Sequence, residues 1–228
     1  MVFDFLKHAG CVLGAVLWLS ASAVAAQGVD VGLVSQVKGE VSYTAEGGGA
    51  GKAREYMRVR ETDRFVLPAG ATLRVIFLQS GRQETWSGPA SIRLGASAGE
   101  IISGKAPEVA QLPLTVPQRI VRTPDMFQQA HMARLGGISV RGAPVRPHVL
   151  SPEDQAELIA ARDLYQQLRT RQSGDDITAQ LYFALVLSDH LQFEELKRVA
   201  EEMQVLQPDN ADVQSLGLWA EERLKRGR

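Results

Sequence analysis

Cysteine is almost missing from this chain: Cys11 is the only one in 228 residues. It sits at the start of an N-terminal apolar run, so the remainder has no thiol. That excludes a disulfide framework and a thiolate metal site. Histidine is scarce, four in all. His131, His148 and His190 stand apart, with no His-x-x-x-His pair, so zinc-binding spacing is absent. An excess of one charge is lacking too: 25 basic residues against 26 acidic ones give a formal charge of -1. Neither nucleic acid nor an anionic membrane surface is implied as a partner.

Recognisable reaction chemistry is equally thin. Ser87, in Trp86-Ser87-Gly88-Pro89, lacks the Gly-x-Ser-x-Gly elbow that exposes a nucleophile. Gly99 to Lys105 has the glycine and lysine spacing of a phosphate loop. Ala106 nevertheless stands at the magnesium-binding Ser/Thr position, and Pro107 follows where a helix should begin, so the match is fortuitous. Asp175-Asp176, Glu194-Glu195 and Glu221-Glu222 are sequence neighbours, which on a helix do not face each other. The expectation is a non-enzyme, with no catalytic residue, no cofactor and no metal ligand.

What the chain does have begins with a targeting signal. Lys7 and His8 precede an uncharged stretch from Ala9 to Ala26, apolar from Cys11 to Leu19 and ending in small residues. This pattern predicts a signal peptide over residues 1–26, cleaved after Ala25 or Ala26, and a periplasmic or secreted protein. Without cleavage, a run of about 20 apolar residues is long enough to anchor the chain in a bilayer; with it, no stable membrane anchor remains. Asp4 and Lys7 cancel, so removing the leader leaves the charge at -1. Cys11 precedes the apolar core, whereas a lipidation cysteine follows it.

Residues 27–102 are expected to form the β part, and within 29–95 the chain alternates with the period of a half-buried strand. Val31, Leu33 and Val37 begin the pattern, Val41 and Tyr43 resume it, and Leu73, Val75 and Phe77 repeat it. Gln79 to Arg82 predicts a hairpin turn, and Gly88-Pro89 a break. The glycine-rich stretch 46–52 is expected to be a mobile loop. Residues 103–150 are a proline-rich connecting segment. It has room for one short helix from Pro124 to Leu135, capped by Thr123, and for an added strand at Ile138 to Arg141.

Residues 151–228 predict four helices. Ser151-Pro152-Glu153-Asp154 combines a cap residue, a first-turn proline and two acids. Leu158, Ala161, Tyr165 and Leu168 share one helical face. Leu196, Val199, Ala200, Met203 and Leu206 share another, and Val213, Leu216, Ala220 and Leu224 a third. The fold class expected is therefore α+β and multi-domain, an all-β part followed by helical hairpins.

The segment from Ile177 to Asn210 resembles the tetratricopeptide (TPR) repeat, a 34-residue helix pair. Phe183, Ala184, Leu187, the turn Gln192-Phe193-Glu194-Glu195 and the terminal Pro208 carry the likeness. Leu191 departs from it at the turn glycine, and Leu196 and Met203 depart at two alanine positions. The β part resembles a FecR-type periplasmic domain over about residues 31–95. The resemblance rests on Val37-Lys38-Gly39-Glu40-Val41, Asp63 to Ala71, and Trp86-Ser87-Gly88-Pro89-Ala90. Together the resemblances imply a protein-binding adaptor or scaffold in the cell envelope, with a protein as partner. One alternative is a module for peptidoglycan or another cell-wall glycan; another is a component of envelope signalling.

The candidate binding surface is Trp86, Arg74 and Arg82 on the β part, with Leu216 and Trp219 on the last helix. Trp86 is a candidate for stacking on a sugar, and the arginines are candidates for holding an acidic glycan or protein. Trp219 is a candidate docking aromatic. Because so few helices rarely form a stable solenoid alone, their apolar side is expected to need cover from the β part or from a partner.

Overall fold

A computed structural model describes residues 29–134, 150–172 and 174–226. The predicted leader, the proposed strand at 138–141 and His148 lie outside these residues. The architecture is α+β, with two five-stranded antiparallel sheets and six helices among the described residues.

The first sheet contains β1 (Asp30–Lys38), β4 (Arg58–Arg60), β6 (Thr72–Phe77), β7 (Arg82–Ser87) and β10 (Glu108–Gln111), in the order β10-β7-β6-β1-β4. The second contains β2 (Ser42–Thr44), β3 (Ala50–Lys52), β5 (Arg64–Leu67), β8 (Ala90–Leu94) and β9 (Gly99–Ser103), in the order β3-β2-β5-β8-β9. Their facing sides form one core, in which Val34, Phe65, Val75, Trp86 and Ile92 meet. The glycine-rich stretch is an ordered hairpin between β2 and β3 rather than a free loop. Ala45 N donates to Gly49 O (2.8 Å) and Gly48 N to Ala45 O (3.0 Å).

The first sheet is covered on both faces. Side chains alternate along a strand, so Val34 and Val75 enter the sandwich while Leu33 and Ile76 point the other way. These last two join a second core with the helices. The long buried runs in β1 and β6 follow from this double cover. The molecule thus has three layers: second sheet, first sheet, helices.

The helices are α1 (Thr115–Ile120), α2 (Thr123–Arg134), α3 (Pro152–Arg169), α4 (Thr178–Asp189), α5 (Phe193–Leu206) and α6 (Ala211–Arg226). Helix α3 opens with a capping box: Ser151 Oγ accepts from Asp154 N (3.0 Å), and Asp154 Oδ2 accepts from Ser151 N (3.2 Å). Helix α4 is apolar all round and buried from Thr178 to Leu187, as a central helix must be. The α4–α5 turn places Leu191 at a φ of 57°. Leu191 N donates to Ser188 O and Gln192 N to Leu187 O, the paired bonds of a Schellman motif. A left-handed residue at this place is the backbone role that glycine most often fills.

Three expectations about organisation change. A boundary at residue 102 cuts through β9, and β10 extends the first sheet into the supposed connector. Helices α1 and α2 pack against α4 and α6, so residues 115–134 belong to the helical layer. Of the two covers expected for the apolar side of the helices, the structure has the one from within the chain, supplied by the first sheet and by α1 and α2, so a partner's cover drops out. Among the described residues no helix is long and apolar enough to cross a membrane.

Candidate functional site

At the seam between the first sheet and the helices, a cleft of about 430 Å³ opens beside β10. Its floor comes from β6 and β7, one wall from β10, and the other from the end of α3 and the start of α4. The geometry follows from strand alternation. On β7, Glu84 and Trp86 face the sandwich, so Gln83 and Thr85 face the cleft. Arg74, the register partner of Thr85 on β6, faces it with them.

A buried polar network lines the floor. Arg74 Nε donates to Thr85 Oγ1 (3.1 Å), and its Nη1 lies 3.5 Å from Asp176 Oδ1. Gln83 Nε2 donates to Asp176 Oδ2 (2.8 Å). Asp176 Oδ1 also accepts from Thr178 N (2.9 Å) and Thr178 Oγ1 (2.6 Å), which ties this carboxylate to the first residue of α4. Arg74 is 7% exposed and Asp176 8%. Burial of both charges is tolerable because each is paired and hydrogen-bonded. Arg171 stands exposed at the rim, and Glu108 lies exposed on β10.

Of the sequence-predicted site residues, only Arg74 enters this cleft. Arg82 projects from the opposite face of β7, where its Nε donates to Glu84. Trp86 is completely buried in the sandwich and donates through Nε1 to Glu84 Oε2 (3.1 Å), so it is core and cannot stack on a glycan. Glu84 Oε2 also accepts from Gly99 N (3.0 Å), which satisfies the buried carboxylate. Leu216 is completely buried among the helices. Trp219 is also buried, edge-on to Phe193 with ring centres 5.3 Å apart, and is no open docking aromatic. Each of these three corrections has the same cause: apolar side chains that look unpartnered in sequence find partners across a layer.

Sequence reasoning missed Gln83, Arg171, Asp176 and the whole of β10. Asp176 was visible only as one of two adjacent acids, since its partners Arg74 and Gln83 belong to a distant segment. Glu108-Val109-Ala110-Gln111 is too short and too exposed to carry a strand signal.

A second concavity of about 750 Å³ lies between the segment 53–57 and helices α2 and α6. Asn210 closes its depth, donating from Nδ2 to Tyr56 Oη (2.9 Å) and Glu55 Oε2 (3.1 Å). Burial pushes the Glu55 carboxyl above its ordinary value, against the Val37 N–H that favours its ionised form. Tyr56 holds a φ of 60° at this contact.

No family model and no curated protein matches the chain. Among solved structures, a "Cell surface anchoring domain" is similar over 30% of this chain and 88% of its own length, at 12% identity and a TM-score of 0.28.

Proposed function

We propose that this chain is a non-enzymatic exported cell-envelope protein, an adaptor or scaffold that binds a protein partner. The observation that carries this proposal is the edge of the first sheet. β10 pairs with β7 on one side only, all four of its residues are exposed, and the polar cleft runs beside it. An unpaired strand edge is a template for an extended segment, its backbone supplying affinity and the neighbouring pocket selectivity. The leader-like N-terminus supports an envelope setting, and the FecR-like and TPR-like resemblances support a binding role. Docking through an open helical face is no longer part of the proposal, because that face is covered. The glycan alternative loses its named aromatic with the burial of Trp86.

The test is hydrogen exchange on the complex with a partner recovered from envelope extract. Binding is expected to slow exchange of the amides of 108–111. A complex that protects only the outer faces of α5 and α6, leaving 108–111 unchanged, overturns the edge-strand site. Catalytic turnover by the purified chain in a broad hydrolase screen overturns the non-enzymatic assignment.

A further inference from the structure

The edge-strand proposal leaves open what the cleft recognises, and the donors around it point to an answer. Arg74 Nε is held by Thr85 Oγ1, and its Nη1 lies 3.5 Å from Asp176 in an ion pair too long for a hydrogen bond, so the Nη groups make no hydrogen bond among the described residues. The two oxygens of Asp176 already accept from the Gln83 amide, the Thr178 hydroxyl and the Thr178 N–H. Arg171, at the rim, has no ion pair among the described residues. Ala179 lines the cleft in the first turn of α4, whose aligned peptides place partial positive charge at that end. Two guanidinium groups therefore border one concavity, the inner one sharing its charge with Asp176 and the outer one without an ion pair among the described residues. Guanidinium forks match carboxylates in two-pronged geometry. The opposing carboxylates are Asp176, paired with Arg74, and Glu108, exposed on β10 and without an ion pair among the described residues.

We infer that the cleft receives an acidic side chain, Asp or Glu, carried by the extended segment that adds to β10. This rests on the edge-strand reading of the preceding subsection. Arg171 acts as the outer clamp and Arg74 as the inner, immobile one. Gln83 and Thr85 hold the floor in place through their bonds to Asp176 and Arg74. Glu108 sits beside the arriving charge and repels it, so the strand carries its own brake on affinity. The two arginines select against a basic residue at that position, and Glu108 weakens that selection as it weakens the affinity.

Two exposed substitutions with opposite expected signs provide the test, on an array of random hexapeptides with free and amidated C-termini probed with the full chain. The expected result is enrichment of Asp or Glu at one fixed internal position in both C-terminal forms. Arg171→Gln is expected to weaken the selected peptides about tenfold, the scale of one lost charge-assisted hydrogen bond. Glu108→Gln is expected to tighten them. Circular dichroism of both variants should match the parent, since both positions are exposed. Selected peptides with no acidic preference overturn the carboxylate inference and leave strand addition standing. Dependence on a free C-terminus alone reassigns the cleft to a chain end and overturns the side-chain assignment. Equal affinity of the parent and Arg171→Gln also overturns it. An array with no binder overturns both the inference and the edge-strand proposal beneath it.

Discussion

Single residues in this molecule often sit where another residue type would be easier. Leu191 occupies a left-handed turn at a φ of 57°, a conformation that costs an L side chain roughly 1–2 kcal/mol. Its side chain is 39% exposed, so little packing opposes a change. Leu191→Gly is expected to raise stability by about 1 kcal/mol in urea unfolding, after allowing for the extra entropy of glycine; a loss of stability would mean that its contacts outweigh the strain. Gly99 shows the reverse. A Cβ there would lie 2.7 Å from Trp86 Cζ2 and 2.8 Å from Glu84 Oε2, so the glycine permits the close approach that satisfies a buried carboxylate. Leu191 stood out in the sequence as a departure from the turn glycine of the repeat that this segment resembles. The demand at Gly99 was not visible there, because Trp86 and Glu84 reach it only through the packing of two sheets.

Among the elements, those with a strong period or a cap were legible. α3 was announced by Ser151, Pro152 and Asp154, and the capping box is present. Ser151→Ala is expected to cost about 1 kcal/mol, seen as a lower urea midpoint with an unchanged slope. The apolar stripe of α5 is the buried one, with Leu196, Ala200 and Met203 innermost. Short strands were not legible. β3, β4 and β10 have three or four residues each, too few for alternation to rise above chance. That is why Arg74 alone of the candidate cleft was singled out: Gln83, Asp176, Arg171 and β10 join it only through which strand reaches the edge and which helix ends beside it.

For the molecule as a whole, the two parts read from the sequence share a core. Leu33 and Ile76 come from the first sheet and pack in one cluster with residues from every helix. One cooperative unit is the expected consequence. The helical circular dichroism signal and the exchange protection of β8 amides should be lost at the same urea concentration. Ile76→Ala should lower both by the same amount, about 2–5 kcal/mol. Two separated transitions would show instead that sandwich and helices fold independently. The sequence revealed the composition of each layer. It did not reveal their stacking, because a strand buried on both faces and a strand buried on one differ only in side chains whose partners lie far along the chain.

Asn210 gives that shared core a topological consequence. It grips Tyr56 and Glu55 from the far end of the chain, while α2 lies against α6 and Arg119 and Arg122 reach across to Asp189. A peptide bond cut between 134 and 150 would sever the backbone without separating these surfaces. The two fragments should co-purify as a non-covalent heterodimer, and, expressed apart, should complement each other on mixing. The covalent link at that place is then dispensable for holding the halves together, which makes it a natural site for splitting the protein into a reporter pair.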